Sequence, residues 1–317
     1  MNREYDVTII GAAIVDILVQ PIEVGELTMA TQPVDNISMN FGGDGGNEAA
    51  VLGKLGKKVN LLTKLGNDLS ASLIRDQYAA LGVSTADTLI DDTIPTGINV
   101  VMVNHEAERS FITNEKSSLR EFYPSDLKME AIGKADILCL GSIFVSVYFD
   151  DDAMADIFAR AKAAGCTVCA DMKTPRHGET FEDIRKCLSY VDYTFPNYEE
   201  ACALTGLTDL HEIAELFLDA GVGCLIIKTG AEGCHVFTKE EHFLSPSYPV
   251  EHCIDTTGAG DNFAAGFLYA LSEGMSLRDC CAFANATASI SVEHVGTRGV
   301  QSLEEVMERF RVLRERS

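Results

Sequence analysis

Within seven residues, Asp255-Thr256-Thr257-Gly258-Ala259-Gly260-Asp261, this chain sets two carboxylates around a run of small residues, and Asn262-Phe263-Ala264-Ala265-Gly266-Phe267 follows as a helical pattern. Small residues and glycines let backbone N–H groups turn toward one point where the helix begins. The first turn adds its own unsatisfied amides and the positive end of its dipole, and the product is an anion site. Asp261 falls in that first turn, where a carboxylate beside a bound anion is unfavourable unless it has a task. Accepting the proton of an attacking hydroxyl is such a task. The chemistry expected is phosphoryl transfer, with Asp261 as general base and with Thr257, Gly258, Ala259 and Gly260 supplying amides to the charge that builds on the phosphate. The plain rival is an ordinary loop closed by an N-capping acid, a common use of Asp at a helix start. Other phosphate patterns are missing: Gly56-Lys57 lacks the leading glycine and trailing hydroxyl of a P-loop, and no G-x-G-x-x-G follows the first strand.

Three more segments accompany that run, in the order Gly42-Gly43-Asp44-Gly45-Gly46-Asn47, Asn197-Tyr198-Glu199-Glu200 and Lys228-Thr229-Gly230-Ala231-Glu232-Gly233. Together with 255–261 they resemble the signatures of the ribokinase-like carbohydrate kinases, the PfkB family: a double glycine with an asparagine shortly after, N-x-x-E, a nucleotide-site strand and loop, and DTxGAGD. The resemblance covers nearly the whole chain, and four motifs in the family's order are far more specific than any one of them.

What the resemblance implies can be placed residue by residue. Asp16, Gly42, Gly43 and Asn47 would contact sugar hydroxyls, the glycines admitting close backbone approach and Asn47 offering both donor and acceptor. Phe111 would cover the sugar, although a lid-core phenylalanine reads the same, and Asp16 has a surface acid as its rival. Asn197 and Glu200, three apart and so on one face of a turn, would organise the water shell of Mg²⁺, an ion that takes few protein ligands; the same pair would cap the helix it opens. Lys228, Thr229, Gly230 and Gly233 would border the phosphates and ribose of ATP. Asn285, in a helix over 281–290, would line the adenine pocket, unless it is a satisfied mid-helix polar residue. Asp255 and Thr257 match half of a monovalent-cation (K⁺) site; the other half, 291–300, departs from the pattern, with His294 where an arginine is expected and Val300 where a hydroxyl often falls. Lys173 and Arg176, beyond a strand end, would suit a carboxylate or a sugar phosphate, solvated surface charge being the default.

Composition narrows the field. A net charge of −23 lacks the basic footprint that nucleic acid or an anionic membrane needs, so the positive potential for ATP must come locally from helix dipoles, amides and Mg²⁺. The chain is 46% hydrophobic, yet no apolar stretch reaches the length of a membrane helix. The polar start Met1-Asn2-Arg3-Glu4-Tyr5-Asp6 shows no signal peptide. Ten cysteines sit in apolar runs such as Ile137-Leu138-Cys139-Leu140, which suits free thiols in a reducing cytoplasm, and Cys166 and Cys169 read as part of a buried strand rather than a zinc pair.

Runs apolar throughout recur at 7–10, 60–63, 137–140, 167–170, 193–195 and 225–227, each ending in or leading to a small or polar residue, with helical patterns such as 152–164 and 198–204 between them. This is the doubly wound α/β pattern: a mostly parallel sheet with helices on both faces and ligands beyond the carboxyl ends of the strands. Two segments, about 12–41 and 93–114, break the rhythm; 97–103 and 109–112 read as strands joined by a polar turn. By the resemblance they form a small β-sheet lid on one ribokinase-like kinase domain over 1–317. An open lid leaves apolar faces and strand edges for a homodimer. The reading is ATP-dependent phosphorylation of a hydroxyl on a small sugar or polyol. A nucleoside kinase of the same family, which would want a more aromatic lid, and a non-catalytic sugar-binding regulator are the alternatives.

Overall fold

Apolar runs without alternation become strands buried on both faces, and here they build one large sheet. The computed structural model describes residues 3–22, 25, 31–106, 108–296 and 299–315. Along the chain its strands are β1 (Tyr5–Ile10), β2 (Ile14–Gln20), β3 (Asn36–Gly42), β4 (Val59–Leu62), β5 (Lys64–Gly66), β6 (Val83–Ser84), β7 (Leu89–Asp91) and β8 (Ile98–Val103). There follow β9 (Arg109–Thr113), β10 (Ala135–Ile143), β11 (Thr167–Met172), β12 (Tyr193–Thr194), β13 (Cys224–Lys228), β14 (Gly233–Phe237) and β15 (His242–Pro246). The helices are α1 (Asp44–Lys54), α2 (Leu69–Ala80), α3 (Asp151–Ala163), α4 (Arg185–Leu188), α5 (Tyr198–Thr205), α6 (Leu210–Asp219), α7 (Ala259–Ser272), α8 (Leu277–Ser291) and α9 (Leu303–Arg314).

The large sheet runs β6-β4-β1-β10-β11-β12-β13-β14-β15 and is parallel up to β13. The last two strands are antiparallel, an edge hairpin that the sequence reading did not separate from the loops. One face packs under α1, α2, α7, α8 and α9, the other under α3 to α6. Successive residues of β1 serve the two cores in turn, Ile9 on one side and Ile10 on the other, so both must be apolar.

From β1 the chain moves outward to β4 and β6, then returns to β10 on the opposite side of β1. That reversal makes the β1/β10 crevice the topological switch point, where ligands of doubly wound sheets collect. The N-terminus of α1 is pressed onto it. A Cβ on Gly11 would lie 2.7 Å from the Cα of Gly45, and one on Gly141 would lie 3.0 Å from the nitrogen of Gly45. Gly11 just past β1, Gly45 on α1 and Gly141 on β10 thus let a helix start touch the strand ends.

The four-stranded lid has the order β3-β2-β8-β9, its strands inside the two segments that break the βα rhythm. Residues 23, 24, 26–30 and 107 of those segments lie outside the described residues. Its register sorts the side chains into two faces. Met39, Ile17, Val100 and Ile112 are paired across all four strands on one; Asn40, Asp16, Asn99 and Thr113 form the corresponding row on the other. The cysteines are free thiols, and all but Cys202 and Cys253 are buried; exposed Cys253 is the departure from the expected pattern.

Candidate active site

Helix α7 is entered through Gly258 at its N-cap position, whose φ of 75° is a left-handed conformation that a glycine adopts without strain, and no side chain caps the helix. Asp261, in the first turn and 5% exposed, therefore does not act as a cap. Its Oδ2 accepts from Asn47 Nδ2 at 2.7 Å, and its Oδ1 lies 3.4 Å from Lys173 Nζ. The N-capping rival is thereby set aside. The expected row of amides is narrower than read from sequence. Thr257 N–H donates to Asp255 Oδ1 at 2.9 Å, and the turn at Gly258 sends Ala259 N–H back to the Thr256 carbonyl at 3.1 Å. Gly258, Gly260 and Asp261 keep amides with no partner among the described residues.

The N-terminus of α1 meets that of α7. Its N-cap position is Gly43, with φ 91° and no room for a side chain, since a Cβ there would lie 2.3 Å from the carbonyl oxygen of Ala12. Gly42 has Asp16 Oδ2 where a Cβ would point, 2.0 Å away, but that is the end of a side chain that could turn aside, so close backbone approach dictates only Gly43. Asp44 accepts from the amide of Ala12 at 2.8 Å, and Asn47 reaches across to Asp261. Burial, with Asp261 nearby, raises the Asp44 carboxyl despite the Gly45 and Ala12 amides and Lys173. Burial, together with the charges of Asp171, Asp261 and Asp44, pushes fully buried Glu48 well above the carboxylate range. Lys173 goes the other way. Burial alone would lower it, but Asp261, Asp171 and Asp44 hold its ammonium well above the ordinary lysine value. Lys173 thus stands against Asp261 rather than free in solvent, whereas Arg176 is exposed. The two-residue spacing of Asp171 and Lys173 at a strand end was the available signal.

Beside them, Lys228 at the end of β13 bonds both oxygens of Asp171 at 3.0 Å, and Asp171 is fully buried. A Cβ on Gly260 would come within 3.2 Å of Lys228 Nζ, which puts this ammonium beside Gly260 in the first turn of α7. Asn197 and Glu200 form a reciprocal capping box on α5, each backbone N–H bonded to the other's side chain at 2.8 Å. Burial raises the Glu200 carboxyl, partly offset by Lys228. Thr229 spends its N–H and hydroxyl on the Gly233 carbonyl, closing a tight turn over Gly230–Glu232. Gly233, at φ 118°, would place a Cβ 2.1 Å from the Ser245 carbonyl oxygen. Asn285 is buried and ties α8 to β15 through Nδ2, 3.0 Å from the Ser245 carbonyl; a nucleobase contact would fall to Oδ1.

The small sheet supplies the remaining expected residues. Asp16 Oδ1 accepts from Asn99 at 3.1 Å, and burial raises its carboxyl despite that bond and the charge of Arg109. Phe111 is 61% exposed and shares the face of Arg109 and of the Asp16 row. Arg109 was not foreseen. Its guanidinium bonds Thr257 Oγ1 and reaches Asp255 Oδ2 at 2.5 Å, joining the lid to the 255–261 loop. Asp255 also accepts from Gly296 N at 2.7 Å; although burial opposes it, these bonds hold its carboxyl below the usual range. Part of the second half of the expected cation site, residues 297 and 298, lies outside the described residues.

The profile of the pfkB family carbohydrate kinases matches residues 6–303. The chain belongs to that family. This pfkB carbohydrate kinase is similar to the ribokinase of Haemophilus influenzae, 29% identical over 83% of this chain and 84% of that one. It is 30% identical to a ribokinase of Arabidopsis thaliana over 80% of this chain and 68% of that one. The structure of Arabidopsis thaliana ribokinase complexed with ribose and ATP superposes with a TM-score of 0.82 at 26% identity, covering 98% of this chain and 99% of that one. The ribokinase-like fold, with its large mostly parallel sheet and separate small sheet, is shared with these kinases.

Proposed function

We propose that this pfkB kinase moves the γ-phosphate of ATP to a hydroxyl of a small sugar or sugar-derived polyol. One observation carries the reading: Asp261 caps nothing, is oriented by Asn47 and Lys173, and stands beside unclaimed amides at a helix start. The acceptor lies between that carboxylate and the lid row of Asn40, Asp16, Asn99 and Thr113, under Phe111. Its hydroxyl gives its proton to Asp261 as the oxygen–phosphorus bond forms and the bond to the ADP oxygen breaks. The amides of Gly258 and Gly260, with Lys228, stabilise charge on the phosphoryl oxygens. The loop from Lys228 to Gly233 borders the nucleotide, and the whole chain acts as one kinase unit with its lid.

The residues present fit a water-mediated Mg²⁺. Glu200 uses only Oε2 in the capping box, and the described residues hold no group of three or more His, Cys, Asp or Glu able to take a metal directly. Asn197 and Glu200 would hold such an ion through water, and bound Mg²⁺ would screen the phosphate charge. Potassium fits less well, because Asp255 and Thr257 already face the Arg109 guanidinium. Replacing KCl by tetramethylammonium chloride at equal ionic strength should leave kcat essentially unchanged; strong potassium activation would refute this use of Arg109.

The outer lid face suggests a homodimer. Ile37, Met39 and Ile112 are 66%, 52% and 56% exposed on the apolar face that the register builds, and a second copy would cover it. Sedimentation should find a dimer that Met39→Asp with Ile112→Asp converts to monomer; an unchanged sedimentation coefficient would rule out this face. Among the described residues no helix is long and apolar enough to cross a membrane, and the free thiols suit a reducing cytoplasm. The test of the kinase reading is ATP consumption with Mg²⁺ across free sugars, sugar acids, sugar phosphates and nucleosides. Sugar binding without any turnover would leave the protein a sugar-binding regulator.

A further inference from the structure

At the switch point, beyond the carboxyl ends of β1 and β10, lies a cavity of about 20 Å³. That is room for about one water-sized group. Most of its wall is apolar, with Leu119, Phe122, Leu140 and Phe149 among the lining residues. Two polar atoms with no hydrogen-bond partner belong to residues that line it, Asp44 Oδ2 and Ser142 Oγ, in side chains only 7% and 6% exposed. The Asp44 carboxylate cannot turn away, because Oδ1 is held by the Ala12 amide at 2.8 Å. A Cβ on Gly141 would lie 3.4 Å from Oδ2, so a larger residue there would crowd the pocket. Buried polar atoms left unpaired are costly and rare, and two of them in residues that line one small void call for a hydrogen-bonding partner that arrives from outside.

Resting on the kinase reading above, we propose that Asp44 and Ser142 form a one-group pocket of the acceptor site that receives a hydroxyl of the sugar and selects an uncharged polyol over acceptors bearing a carboxylate or phosphate. A hydroxyl donates to Asp44 Oδ2 and accepts from Ser142 Oγ, which satisfies both atoms in one step. An anionic group meets the opposite. Asp44 lies on the helix turn that carries Asn47 to Asp261, and Asp16 stands beside Gly42. The nearby cations are already matched, Lys173 by Asp261 and Arg109 by Asp255. In a poorly solvated crevice the remaining carboxylates repel a further anion.

The test uses the full chain and its Asp44→Asn and Ser142→Ala variants, with calorimetric binding and initial rates on D-ribose, D-fructose, 2-dehydro-3-deoxygluconate and ribose 5-phosphate. The expected result is that a neutral sugar binds and the two anions do not at the same concentration. Asp44→Asn should then lower kcat/KM for that sugar by at least about tenfold, mainly through KM, with KM for ATP unchanged. Ser142→Ala should act in the same direction and carries the test if Asp44→Asn melts early. Unchanged sugar affinity in both variants would mean that the pocket holds only a water, and the proposal falls. Preference for either anion, or binding of neither neutral sugar, also overturns it. The two readings separate cleanly: turnover of an anion keeps the kinase and discards the pocket, whereas sugar binding sensitive to Asp44 without turnover keeps the pocket and discards the kinase.

Discussion

Asp261→Asn is expected to lower kcat by about 10²–10⁴-fold, the usual contribution of a positioned general base. The substitution keeps the shape of the side chain. It removes the acceptor capacity that a hydroxyl proton needs, because an amide can still accept from Asn47 or from Lys173 but has no basic oxygen to spare. ATP should bind as before: the Lys228 ammonium and the amides of Gly258 and Gly260 do not depend on the carboxylate. Single-turnover rates and equilibrium binding of ATP, measured side by side, separate the two effects. Near-normal turnover would remove Asp261 from the mechanism, and loss of ATP binding would make it a structural residue.

Lys228→Met should have the largest effect on stability, about 3–5 kcal/mol at neutral pH, the range for stranding one member of a buried ion pair. Asp171 is fully buried and receives both of its strong contacts from Lys228 at 3.0 Å, with the Met172 amide on Oδ1 at 2.9 Å. Burial already raises the Asp171 carboxyl, and Lys228 is the largest influence holding it down. Without Lys228 its folded pKa rises further above the unfolded value of about 3.9. A carboxyl shifted upward takes up a proton on folding. The deficit is therefore absent below the unfolded pKa, grows as pH rises toward the folded one, and is complete above it. Denaturant titrations across pH should show this slope. Asp171→Asn in the same chain should restore most of the stability, since the buried charge is gone and the acceptor for Met172 remains, yet ATP affinity should stay low because the ammonium beside Gly260 is still missing. A pH-independent loss, or no rescue, would show that Lys228 acts through packing.

Much of this was legible because it is local or periodic. The 255–261 run needs only backbone freedom and one carboxylate within a single loop, so its chemistry is written in consecutive residues. Strands such as 7–10 and 137–140 are apolar throughout because both of their faces are covered, and that covering is itself the signature of a parallel sheet. Asn197 and Glu200 read correctly as a cap for the same reason: the box closes within one turn. The antiparallel edge of β14 and β15 did not stand out, since two five-residue strands around a polar turn carry too little pattern to be told from loop.

Only tertiary structure could decide what depends on residues far apart in sequence. Asn47 and Asp261 are 214 residues apart, Arg109 and Asp255 146 apart, and neither pairing leaves a trace in its local sequence. The same holds for the Ala259 amide, which the turn at Gly258 sends back to Thr256, and for Asp44 and Ser142, which line one void where glycines let α1 approach β1 and β10. By itself the sequence determined the sheet, the motifs and the reaction class, because periodicity and short-range backbone geometry act within a few residues. The fold decided which charges meet and which amides stay free, because those depend on distances of a few ångströms between segments that the chain keeps far apart.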